Sequence, residues 1–180
     1  ANKIYGYGGN DSLYGLGGID TIFGGNGIDN IYTGAGAGDV ALGEGSADTL
    51  YGNFDGDFLI GGMVISTTEE LDESNQDTIN LSSATAGVIL DLSTTVTAGT
   101  GIYNGLYSQA MLVTDNAQFD YVRQIEYIIG SNWDDTFTGN ASQNSILAGD
   151  GDDIIYYTRG LDYYNGGNHT IADIGTQGST

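Results

Sequence analysis

The residues able to do chemistry in this chain are carboxylates, and they recur at a fixed interval. Asp11, Asp20, Asp29, Asp39, Asp48 and Asp57 follow one another nine residues apart, with one step of ten between Asp29 and Asp39. A second run sets Asp135, Asn144, Asp153 and Asp162 at the same interval of nine. The five residues ahead of these acids are rich in glycine: Gly6 and Gly8, Gly15 and Gly17, Gly24, Gly34 and Gly36, Gly149 and Gly151, with Asn26 in the same zone. Carboxylates beside backbone free to turn its carbonyls inward form a set of hard oxygen donors. Such a set holds a cation.

Other chemistries lack their parts. His169 is the only histidine, and one imidazole without an orienting partner makes no catalytic triad. Asp152 and Asp153 form a carboxylate pair of the kind glycosidases use, but they stand in the repeat frame, which points to cation or solvent. The chain has no Cys, so it has no thiolate metal site, disulfide or cysteine nucleophile. Lys3 is the only lysine, and no phosphate-binding loop motif surrounds it. Asp55-Gly56-Asp57 resembles the start of an EF-hand loop but lacks its 12-residue ligand spacing and closing Glu. Trp133 and the 13 Tyr could stack on sugars, although Tyr equally suits short exposed strands. Lys and Arg number 3 against 24 Asp and Glu, a net charge of −21. That field disfavours nucleic acid and anionic membrane surfaces. No apolar run nears the roughly 18 residues needed to span a bilayer.

Something must position the acids. Cut from Gly6, the chain reads GYGGNDSLY, GLGGIDTIF, GGNGIDNIY, then Thr33 alone, then GAGAGDVAL, GEGSADTLY and GNFDGDFLI. Asn2 and Ile4 fall in phase, so the given sequence is expected to begin inside an earlier repeat. The frame returns as GSNWDDTFT, GNASQNSIL, AGDGDDIIY and YTRGLDYYN. The eighth place is apolar in all but the last: Leu13, Ile22, Ile31, Ala41, Leu50, Leu59, then Phe137, Ile146, Ile155 and finally Tyr164. The last three residues of each unit are too few for a helix and read as a short strand with the eighth residue inward. One unit cannot bury that side chain alone. Two units facing each other can, as one coil of an 18-residue repeat carrying two strands. Stacked coils make two parallel sheets, and equivalent carboxylates then lie about 4.8 Å apart in columns. Unpaired columns repel, and a divalent ion between loops converts the repulsion into coordination. Calcium fits, taking 6–8 carboxylate and carbonyl oxygens in flexible geometry. Magnesium demands a tighter octahedron, and zinc prefers His and Cys.

These residues resemble the G-G-x-G-x-D-x-U-x nonapeptide of RTX proteins, most closely in GGNGIDNIY at 24–32 and AGDGDDIIY at 148–156. The resemblance implies an all-β fold, a right-handed parallel β-roll (a β-solenoid) that holds several Ca²⁺ ions between loops two units apart. Carried over, it pairs Asp11 with Asp29, Asp29 with Asp48, Asp20 with Asp39 and Asp39 with Asp57. It likewise pairs Asp135 with Asp153 and Asn144 with Asp162, Asn144 bringing one charge fewer. Asp29 and Asp39 would each serve two ions, Asp11 and Asp57 one. Thr33, Ala37 and Ser46 depart from the pattern. The resemblance also implies a non-catalytic module of a larger bacterial protein, exported by type I secretion, disordered in a low-calcium cytosol and folded at the cell surface or outside. The parent is expected to be an adhesin-like surface protein, or else an extracellular hydrolase, epimerase, protease or toxin whose module touches polysaccharide.

The expected organisation is a first block at 1–62, a β-rich connector at 63–129, a second block at 130–165 and a degenerate end at 166–180. The connector holds 4 Gly against 18 in residues 1–62. Glu69, Glu70, Asp72 and Glu73 read as a solvated loop, and 77–93 and 124–131 as strands. MLVTDNAQFDYVRQIEYI could hold a short helix, with strand or loop as the alternative. In the first block the seventh and ninth residues point outward. One face then carries Tyr14, Tyr32 and Tyr51 and should meet solvent. The other carries Phe23, Val40, Leu42, Phe58 and Ile60. An apolar patch of that size is rarely bare on a soluble monomer, so the connector is expected to cover it, with a neighbouring domain or second chain as the alternative.

Overall fold

The computed structural model describes residues 1–64, 70–71, 76–99, 105–156 and 163–165. Asp162, His169 and the tail at 166–180 lie outside them, as do Glu69, Asp72 and Glu73. Among the described residues there is no helix, and so none long and apolar enough to cross a membrane. The first repeats give β1 (Lys3–Gly8), β2 (Ser12–Tyr14), β3 (Thr21–Asn26), β4 (Asn30–Tyr32), β5 (Val40–Gly45), β6 (Thr49–Tyr51) and β7 (Phe58–Ile60). The connector gives β8 (Met63–Val64), β9 (Glu70–Leu71), β10 (Thr78–Asn80), β11 (Val88–Asp91), β12 (Val96–Ala98), β13 (Gly105–Leu112), β14 (Asp115–Arg123) and β15 (Tyr127–Ile129). The later repeats give β16 (Thr136–Thr138), β17 (Ser145–Leu147), β18 (Ile154–Tyr156) and β19 (Tyr163–Asn165). The segment left open between helix and strand is β13, β14 and β15. Glu70, read as loop, pairs in a small antiparallel ribbon of β8 and β9.

Alternate units go to opposite sheets, making a parallel β-roll. One sheet runs β2-β4-β6-β10-β15-β17-β19, reversed from the far end, and is parallel throughout. The other runs β1-β3-β5-β7-β14-β13-β11-β16-β18, with β12 beside β13. The eighth-place residues align in two facing columns. Ile4, Ile22, Ala41 and Leu59 lead to Val122 on one sheet. Leu13, Ile31, Leu50, Ile79, Ile128 and Ile146 stack on the other. From Ile22 and Ile31 onward both columns are almost fully buried in one core. The second sheet is not wholly parallel: β13 runs against both β14 and β11. A tight turn at Val113–Thr114 folds β14 back on β13, so a hairpin stands where a loop–strand repeat would otherwise continue. β1, β3 and β5 reach six residues, not three, because the second and third places of their units also pair, Tyr7 with Gly25 and Gly25 with Glu44.

The extra residue of the fourth unit is not Thr33. Thr33 takes the first place of its unit: a Cβ on Gly15 would strike the Thr33 carbonyl, as one on Gly6 would strike that of Gly24. Ala35 then bridges Gly17, and the register slips only after Gly36, in a turn at Ala37–Gly38. Gly34 falls in the second place, where Tyr7 and Leu16 also have positive φ, 69° each.

The apolar outer face is covered. Val40, Leu42 and Ile60 are buried with Tyr107, and Phe23, Phe58, Ala98 and Tyr121 pack around them. Tyr107, Ala98 and Tyr121 come from the connector, and β8 lies against β5. Arg123 caps the cluster 4.7 Å above the Tyr107 ring. On the opposite face Tyr14, Tyr32 and Tyr51 stack at 4.7 and 4.2 Å, with Tyr14 exposed and the other two half-buried. Leu42→Ala should therefore cost about 3 kcal/mol in urea unfolding at saturating calcium, from lost burial plus a cavity. Tyr14→Ala should cost well under half of that. Equal costs would mean that the cover is absent in solution.

Candidate metal centre

Each first-block loop turns its acid inward and ties it to the loop two units away. The Asp11 N–H donates to Asp29 Oδ1 at 2.8 Å, Asp20 to Asp39 at 2.6 Å, Asp29 to Asp48 at 2.8 Å and Asp39 to Asp57 at 2.9 Å. All but Asp11 are at most 1% exposed. One oxygen of each acceptor carboxylate is thus used by a neutral donor. The other is not: Oδ2 of Asp11, Asp20, Asp29, Asp39, Asp48 and Asp57 is buried with no hydrogen-bond partner. A column of buried carboxylate oxygens lacking donors is costly unless a cation meets them.

The first-place glycines show how closely loops two units apart pack at these acids. A Cβ on Gly24 would lie 2.5 Å from Asp29 Oδ2 and 2.6 Å from the Gly43 carbonyl oxygen. The space over this glycine is therefore shared by a carboxylate of its own unit and a carbonyl two units on. Gly6 and Gly43 repeat the arrangement with Asp11 and the Gly24 carbonyl, and with Asp48 and the Gly61 carbonyl. A side chain at Gly6, Gly24 or Gly43 would push that carboxylate or carbonyl aside. The fourth place needs glycine for another reason: Gly27 has φ 122°, beyond the reach of L side chains without strain. The third place needs it least, since a Cβ on Gly8 or Gly17 meets nothing closer than 3.7 Å. Asn26 is exposed at the end of β3, and its carbonyl accepts the Gly9 N–H. Gly36 donates its N–H to Asp55 Oδ2 at 3.0 Å.

The later repeats share the spacing, but Asp135 differs from its first-block counterparts. The Asp135 N–H donates to Asp153 Oδ1 at 2.9 Å. The Asp135 carboxylate itself is occupied on both oxygens: Ser131 N–H donates to Oδ2, and Val88 N–H and Ser131 Oγ–H donate to Oδ1, each at 2.7 Å. Gly149 and Gly151 approach the Ser131 and Trp133 carbonyls closely. Asn144 is buried and accepts from the Asn140 N–H through its own Oδ1. Its expected mate, Asp162, lies outside the described residues.

The first columns also do not stop at Asp57 and Asp48. Asp57 donates its N–H to Asp120 Oδ1 at 3.0 Å, and Asp48 donates to Asp77 Oδ1 at 2.7 Å. Asp77 donates in turn to Glu126 Oε2 at 2.9 Å. Asp57, read as a terminal acid, therefore sits mid-column. The sequence holds the signal: Asp77-Thr78-Ile79, Asp120-Tyr121-Val122 and Glu126-Tyr127-Ile128 copy the acid-x-apolar ending of a repeat without its glycine loop.

Burial pushes these acids up. Asp39 is raised to about 6, and Asp48 and Asp57 to about 8, by desolvation above all and by neighbouring carboxylates, against the lowering effect of backbone N–H donors and, at Asp57, of the Thr33 hydroxyl. Asp29, Asp120 and Asp135 move the same way for the same leading reason. Carboxyls that burial keeps from ionising are ones that a bound dication would ionise.

The model of the RTX calcium-binding nonapeptide repeat matches residues 1–22, 14–46, 33–63 and 129–164, more than half of the chain. The chain belongs to this family. Its repeats bind Ca²⁺, and they are a structural rather than a catalytic module. No curated protein matches the chain. The RTX repeat also accounts for the donor set here: carboxylate and carbonyl oxygens, no imidazole and no thiolate.

Two outcomes follow. Gly24→Ala should weaken calcium binding in a calorimetric titration because its methyl would displace the Asp29 carboxylate and the Gly43 carbonyl, whereas Gly8→Ala should leave binding unchanged. The second concerns protons. The folded, calcium-free chain holds protons that the unfolded chain releases near pH 4. The fold therefore binds more protons, and its calcium-free stability should fall as pH rises from about 4 to about 8. With calcium the sign reverses, because protons compete with the ion. Acidification from pH 8 to 5 should raise the β-sheet circular dichroism of calcium-free protein and lower the melting temperature of the calcium-loaded form. A calcium-free fold that strengthens with rising pH would contradict the assignment.

Proposed function

We propose that this RTX β-roll is a calcium-dependent folding module of a larger secreted bacterial protein, an adhesin-like surface protein, and carries no catalytic activity of its own. RTX repeats typically occur in secreted proteins. The observation that carries the reading is the row of six buried carboxylate oxygens without donors. The ions are held between Asp11 and Asp29, Asp29 and Asp48, Asp20 and Asp39, and Asp39 and Asp57, with Gly6, Gly24 and Gly43 giving room and carbonyls. In the second block Asp135–Asp153 and Asn144–Asp162 serve as weaker sites. Each site exists only when loops are stacked, so binding free energy becomes folding free energy. Where free calcium is scarce, a chain of net charge −21 stays expanded and suited to export. Where calcium is plentiful, it folds and is stabilised by the ions it has taken up. The two blocks, 1–62 and 130–165, then carry the repeat sites, and the connector at 63–129 joins them and continues the acid columns.

Far-ultraviolet circular dichroism during a calcium titration tests this. In chelator the chain should lack β signal and elute from gel filtration as an expanded species. Added calcium should produce a cooperative rise in β signal and a compact species, while magnesium at equal concentration should not. A β-rich spectrum in chelator that calcium leaves unchanged would overturn the proposal.

A further inference from the structure

We propose that a cation site lies at the seam between the first repeats and the connector hairpin, formed by Asp55, Asp57 and Asp120. Ligand oxygens of these three acids lie within 4.8 Å of one another. With calcium–oxygen bonds of about 2.4 Å, a single ion bridges oxygens up to roughly 5 Å apart. Two of the three acids have no place in the repeat pattern. Asp120 is on β14, outside every stretch that matches the family. Asp55 fills the fourth place of its unit, where Gly9, Gly18 and Gly27 stand in the first three.

The cluster has more than proximity. Asp57 is fully buried and its Oδ2 has no hydrogen-bond partner. Asp55 Oδ1 is likewise buried without one. The donors around the three acids are neutral. Asp120 receives the N–H groups of Phe54 at 2.9 Å, Gly56 at 3.2 Å and Asp57 at 3.0 Å. Asp55 Oδ2 receives those of Gly36 at 3.0 Å and the Asn53 amide at 2.8 Å. The Thr33 hydroxyl donates to the Tyr51 carbonyl at 3.3 Å and is close enough to the Asp57 carboxylate to favour its charged form. Neutral donors orient three carboxylates without cancelling their charge, and the two free oxygens are those still able to coordinate. The residues from Asn53 to Asp57 thus wrap Asp120 and hold it in the position that the next repeat's acid would take. The ion then fastens the hairpin to the roll. It also lets the calcium column cross from the repeats into a segment that contains none.

The inference rests on the calcium reading of the roll for the identity of the ion alone. Calcium bound per chain, counted by native mass spectrometry and equilibrium dialysis at saturating calcium, tests it in wild type, Asp55→Asn, Asp120→Asn, the double variant and an Asp91→Asn control. Asp91 is bonded to Ser93 and lies outside the columns. Asp55→Asn and Asp120→Asn should each lose one ion, the double variant the same single ion, and the control none. Asp55→Asn replaces a partly exposed side chain by its isostere, so it decides the matter even if Asp120→Asn fails to fold. A wild type that binds several ions with an Asp55→Asn variant that binds as many overturns this site alone. Loss of two ions in the double variant overturns a shared site. A wild type that binds none overturns the calcium reading itself.

Discussion

Everything in this molecule depends on what meets the second oxygen of its buried aspartates. The fold spends the first oxygen on a backbone N–H two units away, which fixes loop against loop. It then buries the second oxygen without a donor. Isolated, each such group must protonate or force the loops apart, because an ionised carboxylate out of water is expensive. Stacking multiplies the problem, since each new coil adds charge to the same two columns. A hard dication resolves it, and with it come the order of the loops, the register of the strands and the alignment of the core. The apolar columns of Ile22, Leu59, Ile31 and Leu50 are thin, one side chain per unit on each sheet. Such a core is poorly suited to hold 24 acids against 3 bases alone.

The two sheets then divide the remaining work. One outer face, with its stacked tyrosines, needs no cover. The other gathers Val40, Leu42 and Ile60, which the connector buries under Tyr107, Tyr121 and Ala98. The connector is also part of the ladder, through Asp77 and Asp120. It therefore supplies both apolar cover and charge, and its strands β10, β14 and β11 carry each sheet onward to the later repeats. In the later repeats Asp135 has Ser131 and Val88 as donors on both of its oxygens.

The roll was legible in the sequence because its period is short and its physics local. One apolar residue at the eighth place and one acid at the sixth suffice to define two columns, and Asp11 through Asp57 lie where their spacing puts them. What escaped is what depends on three dimensions. Thr33 looked like an insertion because it is not glycine, yet the close approach to Gly15 shows that it holds a first place. Asp57 looked terminal because its partner, Asp120, is 63 residues away and lacks a glycine loop. Asp135 looked like its first-block counterparts, but a serine four residues earlier satisfies it. The reversed strand β13 follows from a hairpin turn at Val113–Thr114, where the residues carry no strong turn signature.

Hydrogen exchange at the aspartate amides tests the central claim most directly. The N–H groups of Asp11, Asp20, Asp29 and Asp39 all donate to a carboxylate whose other oxygen is buried without a hydrogen-bond partner. In saturating calcium they should be among the most protected amides of the chain, and on chelation they should exchange together at the rate of an unfolded peptide. Protection that survives chelation would show that the carboxylate ladder stands without the ion, and the account would fail.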